Sequence, residues 1–285
     1  MPINDEIVGR QLAAVKGSWT GRDTRLYALA VGAGGADPER ELQFTTHNTA
    51  GVTQRVLPTF GVIEGCQVGV GSLLRDIDGV DLSRMLHGTQ EVEQHRELPT
   101  DAEVITSGRV SAVWDKGKAA VIETEAVTAD AVSGEPYVTS RQSLYFRGYG
   151  GWGGERGPSG GSTAPQTKLD RTLEATTRLD QALLYRLTGD TNPLHSDPAY
   201  AREAGFPRPI LHGLCVYGIV GRLLLNEFAD GDPAAFRSLR GRFSAPTYPG
   251  DDLVVSVSSR GPEHPFVVEN QRGERILSDG LLVTA

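Results

Sequence analysis

"PILHGLCVYGIVGRLLLNEF" spans Pro209 to Phe228. Leu214, Tyr217, Val220, Leu224 and Phe228 recur there at spacings of three and four, the period of one helix face. The remaining positions are nearly as apolar, so the spacing predicts a helix buried on most sides. The downstream chain is different in kind. "DLVVSVSS" (252–259), "PFVVEN" (265–270) and "ERILSDGLLVTA" (274–285) are rich in strand formers and separated by Gly-, Pro- and Asn-containing turns. A buried helix followed by such strands predicts one helix wrapped by an antiparallel sheet.

The same unit occurs earlier in the chain. "EVITSGRVSAVWD" (103–115), "AAVIETEAVT" (119–128) and "YVTSRQSLYF" (137–146) read as strands, with turns at "DKGK" (115–118) and "SGEP" (133–136). The apolar "LPTFGVIEGCQVGVGSLL" (57–74) stands where the helix belongs, although its glycines weaken a regular helix. Tyr27 pairs with Tyr185, Pro58 with Pro209 and Pro99 with Pro249, at offsets of 158, 151 and 150 residues. The tripeptide "LHG" also occurs twice, at 86–88 and 211–213, but its offset of 125 breaks that register. Between the halves lies "RGYGGWGGERGPSGGSTAPQ" (147–166), which has no apolar period and reads as a linker. The expected organisation is a first repeat over 1–146, this segment over 147–166, and a second repeat over 167–285.

Composition narrows the partners. The 285 residues are 39% hydrophobic and 22% charged, enough for two small cores, and 35 are glycine. A net charge of −8 argues against a nucleic-acid or anionic-membrane partner. No apolar run reaches the ~18 residues of a membrane span. Cys66 and Cys215 belong to no metal-ligand spacing and lie in apolar surroundings, so packed thiols are expected. The polar start "MPINDEIVGRQ" does not resemble a secretory signal, nor the ending "LLVTA" a peroxisomal address, so a cytoplasmic location is expected.

The densest chemistry precedes the long helix. "GDTNPLH" (189–195) sets Asp190 and His195 five residues apart in a turn whose Pro193 disfavours a regular helix. An irregular loop lets both side chains converge on one water, and a carboxylate with an imidazole forms an acid/base pair usable near neutral pH. The same residues also suit a plain turn: Asp before Thr-Asn-Pro is a common turn or N-cap, and Asn192 has a turn role of its own. Asp197 before Pro198 reads as the N-cap of "PAYAREAG" (198–205). Gly213 lies in the first turn of the long helix, where N–H groups lack internal partners. A glycine there admits a ligand to the backbone, so its N–H can hold an oxygen that gains charge. Close packing of the helix on a strand explains the same glycine. His212 is a helix-start residue with no assigned chemistry.

The run "YRLTGDTNPLHSDPAYAREAGFPRPILHGLCVYG" (185–218) resembles the signature of the MaoC-like hydratases, the (R)-specific enoyl-CoA hydratase 2 family. "VLPTFGVI" (56–63), "LHGTQEVEQHRELP" (86–99), "WDKGKAAV" (114–121) and "RGYGGWGGERGP" (147–158) are similar to the non-catalytic repeat of its two-repeat members. The likeness covers nearly the whole chain and looks closest to actinobacterial members associated with lipid and steroid side-chain degradation. It implies an α+β double hot-dog fold, two antiparallel sheets each wrapped around a central helix. It implies syn addition of water to a trans-2-enoyl-CoA, giving a (3R)-3-hydroxyacyl-CoA. By motif, Asp190 and His195 hold and activate the water, Asn192 supports their loop, and the Gly213 N–H stabilises the thioester oxygen. His87, Gly88, Lys116 and Phe243 match the family's substrate-contacting positions. No cofactor is implied, since CoA is part of the substrate, and the likeness suggests a homodimer.

The first repeat offers only glycine and alanine in "YALAVGAG" (27–34) where "YRLTGDTN" carries its Asp and Asn, so it is expected to be inactive. Its glycine-rich segment suggests a wider groove that takes a bulky or long acyl group. Two other functions remain compatible with a hot-dog fold: a non-catalytic acyl-CoA-binding or scaffold subunit, and a thioesterase. The joint presence of Asp190 and His195 argues against the first, and release of free thiol would mark the second.

Overall fold

The computed structural model of the protein describes residues 3–73, 77, 80, 81, 84–158 and 168–285. Its compact units do not follow chain order. The first gathers the described residues of 1–17, 61–95 and 103–163, and the second those of 18–60, 96–102 and 164–285. The architecture is α+β, with antiparallel sheet in both.

In the first unit the strands are β1 (Gln11–Trp19), β2 (Met85–Gln94), β3 (Ala102–Asp115), β4 (Ala119–Asp130) and β5 (Pro136–Arg147), in the order β1-β3-β4-β5-β2. Buried and exposed residues alternate along β3, as a strand with one covered face requires. The covering element is a short helix, Val62–Cys66, that runs on as a π-helix over Gln67–Ser72. Gly61, Gly65 and Gly69 recur every four residues on it, so they share one face. A Cβ on Gly61 would stand 2.9 Å from Val138, while one on Gly65 or Gly69 would collide with Ser140 or Gln142. Those three partners alternate along β5, so the glycines let the helix lie directly on that strand.

Gly69 is thereby closed to the groove expected of this segment, whereas a Cβ on Gly71 would meet no described neighbour within 4 Å. Gly65→Val should destabilise the protein by about 2–3 kcal/mol through overpacking, read as a lower urea midpoint.

Residues 147–158 of the glycine-rich stretch fold over the β3–β4 turn. The buried Asp115 carboxylate accepts the N–H groups of Gly117, Gly151 and Gly153 at 2.7–2.8 Å. Those bonds, led by the one from Gly151, hold its pKa below the ordinary carboxylate value.

The second unit contains the long helix, observed at Gly213–Ala229, with ten buried residues including Leu214, Tyr217, Val220 and Leu224. Its strands are β6 (Arg171–Thr176), β7 (Phe236–Phe243), β8 (Asp252–Val257), β9 (Glu263–Asn270) and β10 (Arg275–Thr284), in the order β7-β10-β9-β8-β6. Tyr217 donates its hydroxyl to the Leu239 carbonyl at 2.5 Å, pinning the helix to β7.

Residues from the first half of the chain complete this core. The helix Gly21–Ala30 starts in a Thr20–Asp23 capping box and buries Tyr27. A Cβ on Gly218 would stand 2.6 Å from the Tyr27 hydroxyl, so that glycine admits the tyrosine. Arg222 pairs with Glu41 at 2.8 Å, with side chains only 11% and 13% exposed, and also donates to the Val31 carbonyl. The rings of Trp19, Phe60, Tyr27 and Tyr185 follow one another with centroids 5.4, 5.5 and 6.2 Å apart.

Candidate active site

The loop before the long helix is shaped by its own side chains. Gly189 takes φ +126°, a conformation L-residues avoid, and turns the chain out of the short helices 181–188. Asp190 then accepts the Asn192 N–H at 3.1 Å, and Asn192 accepts the Leu194 N–H at 3.0 Å. Asn192 thus caps the single 3₁₀ turn Pro193–His195. Asp197 caps the next helix, Pro198–Glu203, through the N–H groups of Ala199 and Tyr200. Asp190, Asn192 and Asp197 each fix a turn, and between them His195 is held in a buried position.

His195 is 9% exposed, and its Nδ1 lies 2.9 Å from the Ile210 carbonyl oxygen. A carbonyl accepts only, so Nδ1 carries the proton and Nε2 keeps a free lone pair. Burial lowers the His195 pKa, against the opposing pull of the Ile210 carbonyl and the Asp190 charge. The ring is therefore a neutral base.

The structure adds a residue the sequence left without chemistry. His212 is 1% exposed and stacks on His195, with ring centroids 3.8 Å apart and planes at 28°. Its Nε2 lies 3.2 Å from the Asp190 backbone oxygen, which requires the proton on Nε2. Its ring also meets Tyr185, with centroids 4.9 Å apart. Burial first, then the neighbouring His195, push its pKa down to about 3. No pattern in the sequence announces this stack; the only hint was a histidine at the N-cap of an apolar helix.

One ligating atom each from Asp190, His195 and His212 lie within 4.8 Å of one another. Two such groups this close can both hydrogen-bond to a single water. The arrangement does not suit a metal held by both histidines. Stacked rings 3.8 Å apart direct their lone pairs along nearly parallel planes, which cannot converge at metal–nitrogen distances of about 2.0–2.1 Å.

Gly213 opens the helix beside this pair. Its N–H has no protein acceptor among the described residues, and it is half-buried where Leu214 to Val216 are buried. A Cβ there would stand 3.0 Å from the Phe243 ring at the end of β7. Asp190, Asn192, His195, Gly213 and Phe243 thus belong to one unit.

His87, Gly88 and Lys116 belong to the other. His87 Nε2 faces the Thr89 carbonyl at 3.0 Å. Gly88 sits at a β-bulge of β2, where a Cβ would lie 2.6 Å from Ser143. Lys116 donates to the carbonyls of Arg156 and, at 2.7 Å, Pro158.

Concavity alone would misplace the site. A groove of about 1150 Å³ in the second unit runs along Ile219, Arg222, Leu223 and Asn226, toward the far end of the helix, and touches none of Asp190, His195 and Gly213.

The buried histidines also set an acid limit. Both native pKa values lie below 6.5, so the unfolded chain takes up protons first as pH falls. Their contribution to stability is complete above about pH 6.5 and is lost as pH falls toward the native values. His212 alone should cost about 2 kcal/mol between pH 7.5 and pH 5. Urea midpoints of the wild type and His212→Phe at the two pH values measure the difference.

Comparison with known proteins gives matches over nearly the whole chain. The family described as MaoC like domain matches residues 161–276, and that described as MFE-2 hydratase 2 N-terminal domain matches residues 18–148. Enoyl-CoA hydratase ChsH3 of Mycobacterium tuberculosis is 43% identical over 266 residues, covering 92% of this chain and 91% of that protein. The crystal structure of a MaoC-like dehydratase from Phytophthora capsici superposes with a TM-score of 0.86 at 28% identity, over 100% of this chain and 98% of that one. A further Mycobacterium tuberculosis structure, described as a double hotdog fold, shares the fold at a TM-score of 0.58 and 13% identity, over 98% and 96% of the two chains.

Proposed function

Because the chain belongs to the MaoC-like hydratase 2 family, with the double hot-dog fold of its members, we propose that it is an (R)-specific enoyl-CoA hydratase, a hydro-lyase acting on trans-2-enoyl-CoA. The observation that carries this reading is the convergence of the Asp190 carboxylate and the His195 ring within 4.8 Å, beside a helix whose first N–H has no acceptor among the described residues.

A water held by Asp190 and His195 loses a proton to His195 Nε2 as its oxygen bonds to C3 of the substrate. The C2–C3 π pair moves toward the thioester oxygen, where the Gly213 N–H stabilises the growing charge. The pair returns to C2, which takes a proton from the same constellation. Hydroxyl and hydrogen therefore add from one face, and the product is the (3R)-3-hydroxyacyl-CoA. The reaction needs no metal or redox cofactor, and CoA enters as part of the substrate.

His87, Gly88, Lys116 and Phe243 are assigned to substrate contact in this reading. Lys116 is the candidate for a CoA phosphate, since an acidic protein needs local positive charge to hold one. The first repeat takes the acyl group, which is bulky or long, a fatty or steroid side chain. That no described residue lies within 4 Å of a Cβ on Gly71 is compatible with that placement. Gly71→Leu should lower kcat/KM for long or steroid enoyl-CoA about tenfold and leave crotonyl-CoA unchanged; equal loss on both refutes the placement. A cytoplasmic homodimer completes the proposal. Neither cysteine forms a disulfide, which suits a reducing compartment, and light scattering tests the dimer.

The decisive experiment offers the purified protein trans-2-enoyl-CoA and resolves the products by chiral chromatography. The (3R)-3-hydroxyacyl-CoA is expected. Free CoA thiol would indicate a thioesterase, and binding without turnover a non-catalytic subunit.

A further inference from the structure

We propose that His212 is a positioning residue for this reaction: its ring is the platform that fixes the plane of His195, and its Nε2–H holds the Asp190 backbone. One side chain thereby sets both ends of the pair that holds the water. The inference rests on the hydratase reading and concerns a residue outside the acid/base pair.

Three contacts converge on this ring. One face covers His195 at 3.8 Å, the ring also meets Tyr185 at 4.9 Å, and Nε2 reaches the Asp190 carbonyl at 3.2 Å. His195 itself has one polar anchor, the bond from Nδ1 to Ile210, which fixes its tautomer but leaves the ring free to tilt about that bond. The His212 face removes this freedom. Asp190 lies on a loop opened by a positive-φ glycine, where the backbone would otherwise be free to shift, and the bond from His212 ties it down.

The platform must stay neutral. A second cation 3.8 Å from His195 would oppose the imidazolium that forms when His195 takes the proton from water. The charged and titratable groups facing His212 are His195, Arg186, Tyr185 and the Asp190 carboxylate, and the Asp190 carbonyl is the acceptor of its N–H. Burial, His195 and Arg186 all disfavour the charged form of His212, so it does not compete for the proton.

The stack continues inward. Tyr185 is followed by Tyr27, Phe60 and Trp19, so the platform is seated on a file of rings rather than on a mobile loop. Rigid support of this kind is what catalytic geometry requires, since a displacement of about 1 Å can cost on the order of 10²-fold in rate.

Two variants separate the two duties. His212→Phe keeps a ring against His195 and loses the N–H to Asp190. His212→Gln keeps an N–H donor and loses the ring. Each should lower kcat about 10–100-fold with KM changed less than about threefold, because neither duty involves substrate contact. The acid limb of kcat discriminates between them. Uncovering His195 in His212→Gln relieves its burial and should move the limb upward, toward the ordinary histidine value, while His212→Phe leaves it in place.

Nitrogen-resolved NMR of the folded wild type is independent of turnover and is expected to show His212 neutral at pH 5, with its proton on Nε2. Failure of the wild type to hydrate enoyl-CoA would remove the hydratase reading and leave the NMR result standing. A protonated His212 at pH 5, or folded variants with unchanged kcat, or losses that follow thermal stability with the acid limb fixed in both, overturns the proposal.

Discussion

His195→Gln should lower kcat by about 10³-fold or more, Asp190→Asn should do the same, and both proteins are expected to remain folded. The expected loss follows from the geometry of the loop. His195 would take the proposed water's proton only through Nε2, because Nδ1 is committed to the Ile210 carbonyl, and a glutamine offers no comparable base. Asp190→Asn retains an oxygen for the Asn192 N–H, so the turn survives while the charge is lost. The double variant should be little worse than either single one, since residues that act as a unit are not additive. Single-turnover hydration with circular dichroism on the same samples measures both halves of the expectation. The pH profile adds a sign. Burial holds the His195 pKa below 6.5, so the acid limb of kcat/KM should lie below that pH. Near-normal turnover in either folded variant would exclude the acid/base pair.

Gly213→Val should cost about 10²-fold in kcat with a smaller change in KM. Its first added carbon would meet the Phe243 ring at 3.0 Å, closer than carbon atoms ordinarily pack, and the two methyls beyond it have less room still. Either the ring or the start of the helix must move. Since Phe243 lies at the end of a paired strand and the helix is buried along most of its length, the unpaired first turn is the element expected to yield. That turn carries the N–H assigned to the thioester oxygen, and losing one such donor typically costs about 10²–10³-fold. Phe243→Leu offers a control. If displacement by the ring is the cause, combining it with Gly213→Val restores part of the rate, and the coupling appears in a double-mutant cycle. Equal losses in the single and double variants would point instead to blockage of the substrate itself.

The sequence carried most of this where local patterns carry structure. The long helix announced itself through its spacing, and six strands through β-branched runs of which each end lies within a few residues of the observed one. β6 and β7 were not marked, because "RTLEAT" is largely exposed and "FRSLRGRF" puts three arginines into its eight residues. β2 lacked a clean alternation because a bulge at Gly88 interrupts it. The first-repeat helix was harder for a different reason. Glycines that lower helix propensity are the same ones that let the helix touch β5, so propensity and packing oppose each other there. Asp190 and His195 were legible as a motif. His212 was not, because ring stacking depends on how a helix start and a loop meet, and spacing contains no record of that.

The membership of residues 18–60 in the second unit reaches beyond the folded state. During synthesis that segment leaves the ribosome more than a hundred residues ahead of the helix it packs against. Tyr27, Phe60 and Glu41 must then wait, partly uncovered, until Gly213–Ala229 has been translated. Such long-range closure slows folding and exposes apolar surface in the nascent chain. A polypeptide begun at residue 167 would lack these partners altogether, whereas the two halves produced separately and mixed could complement each other.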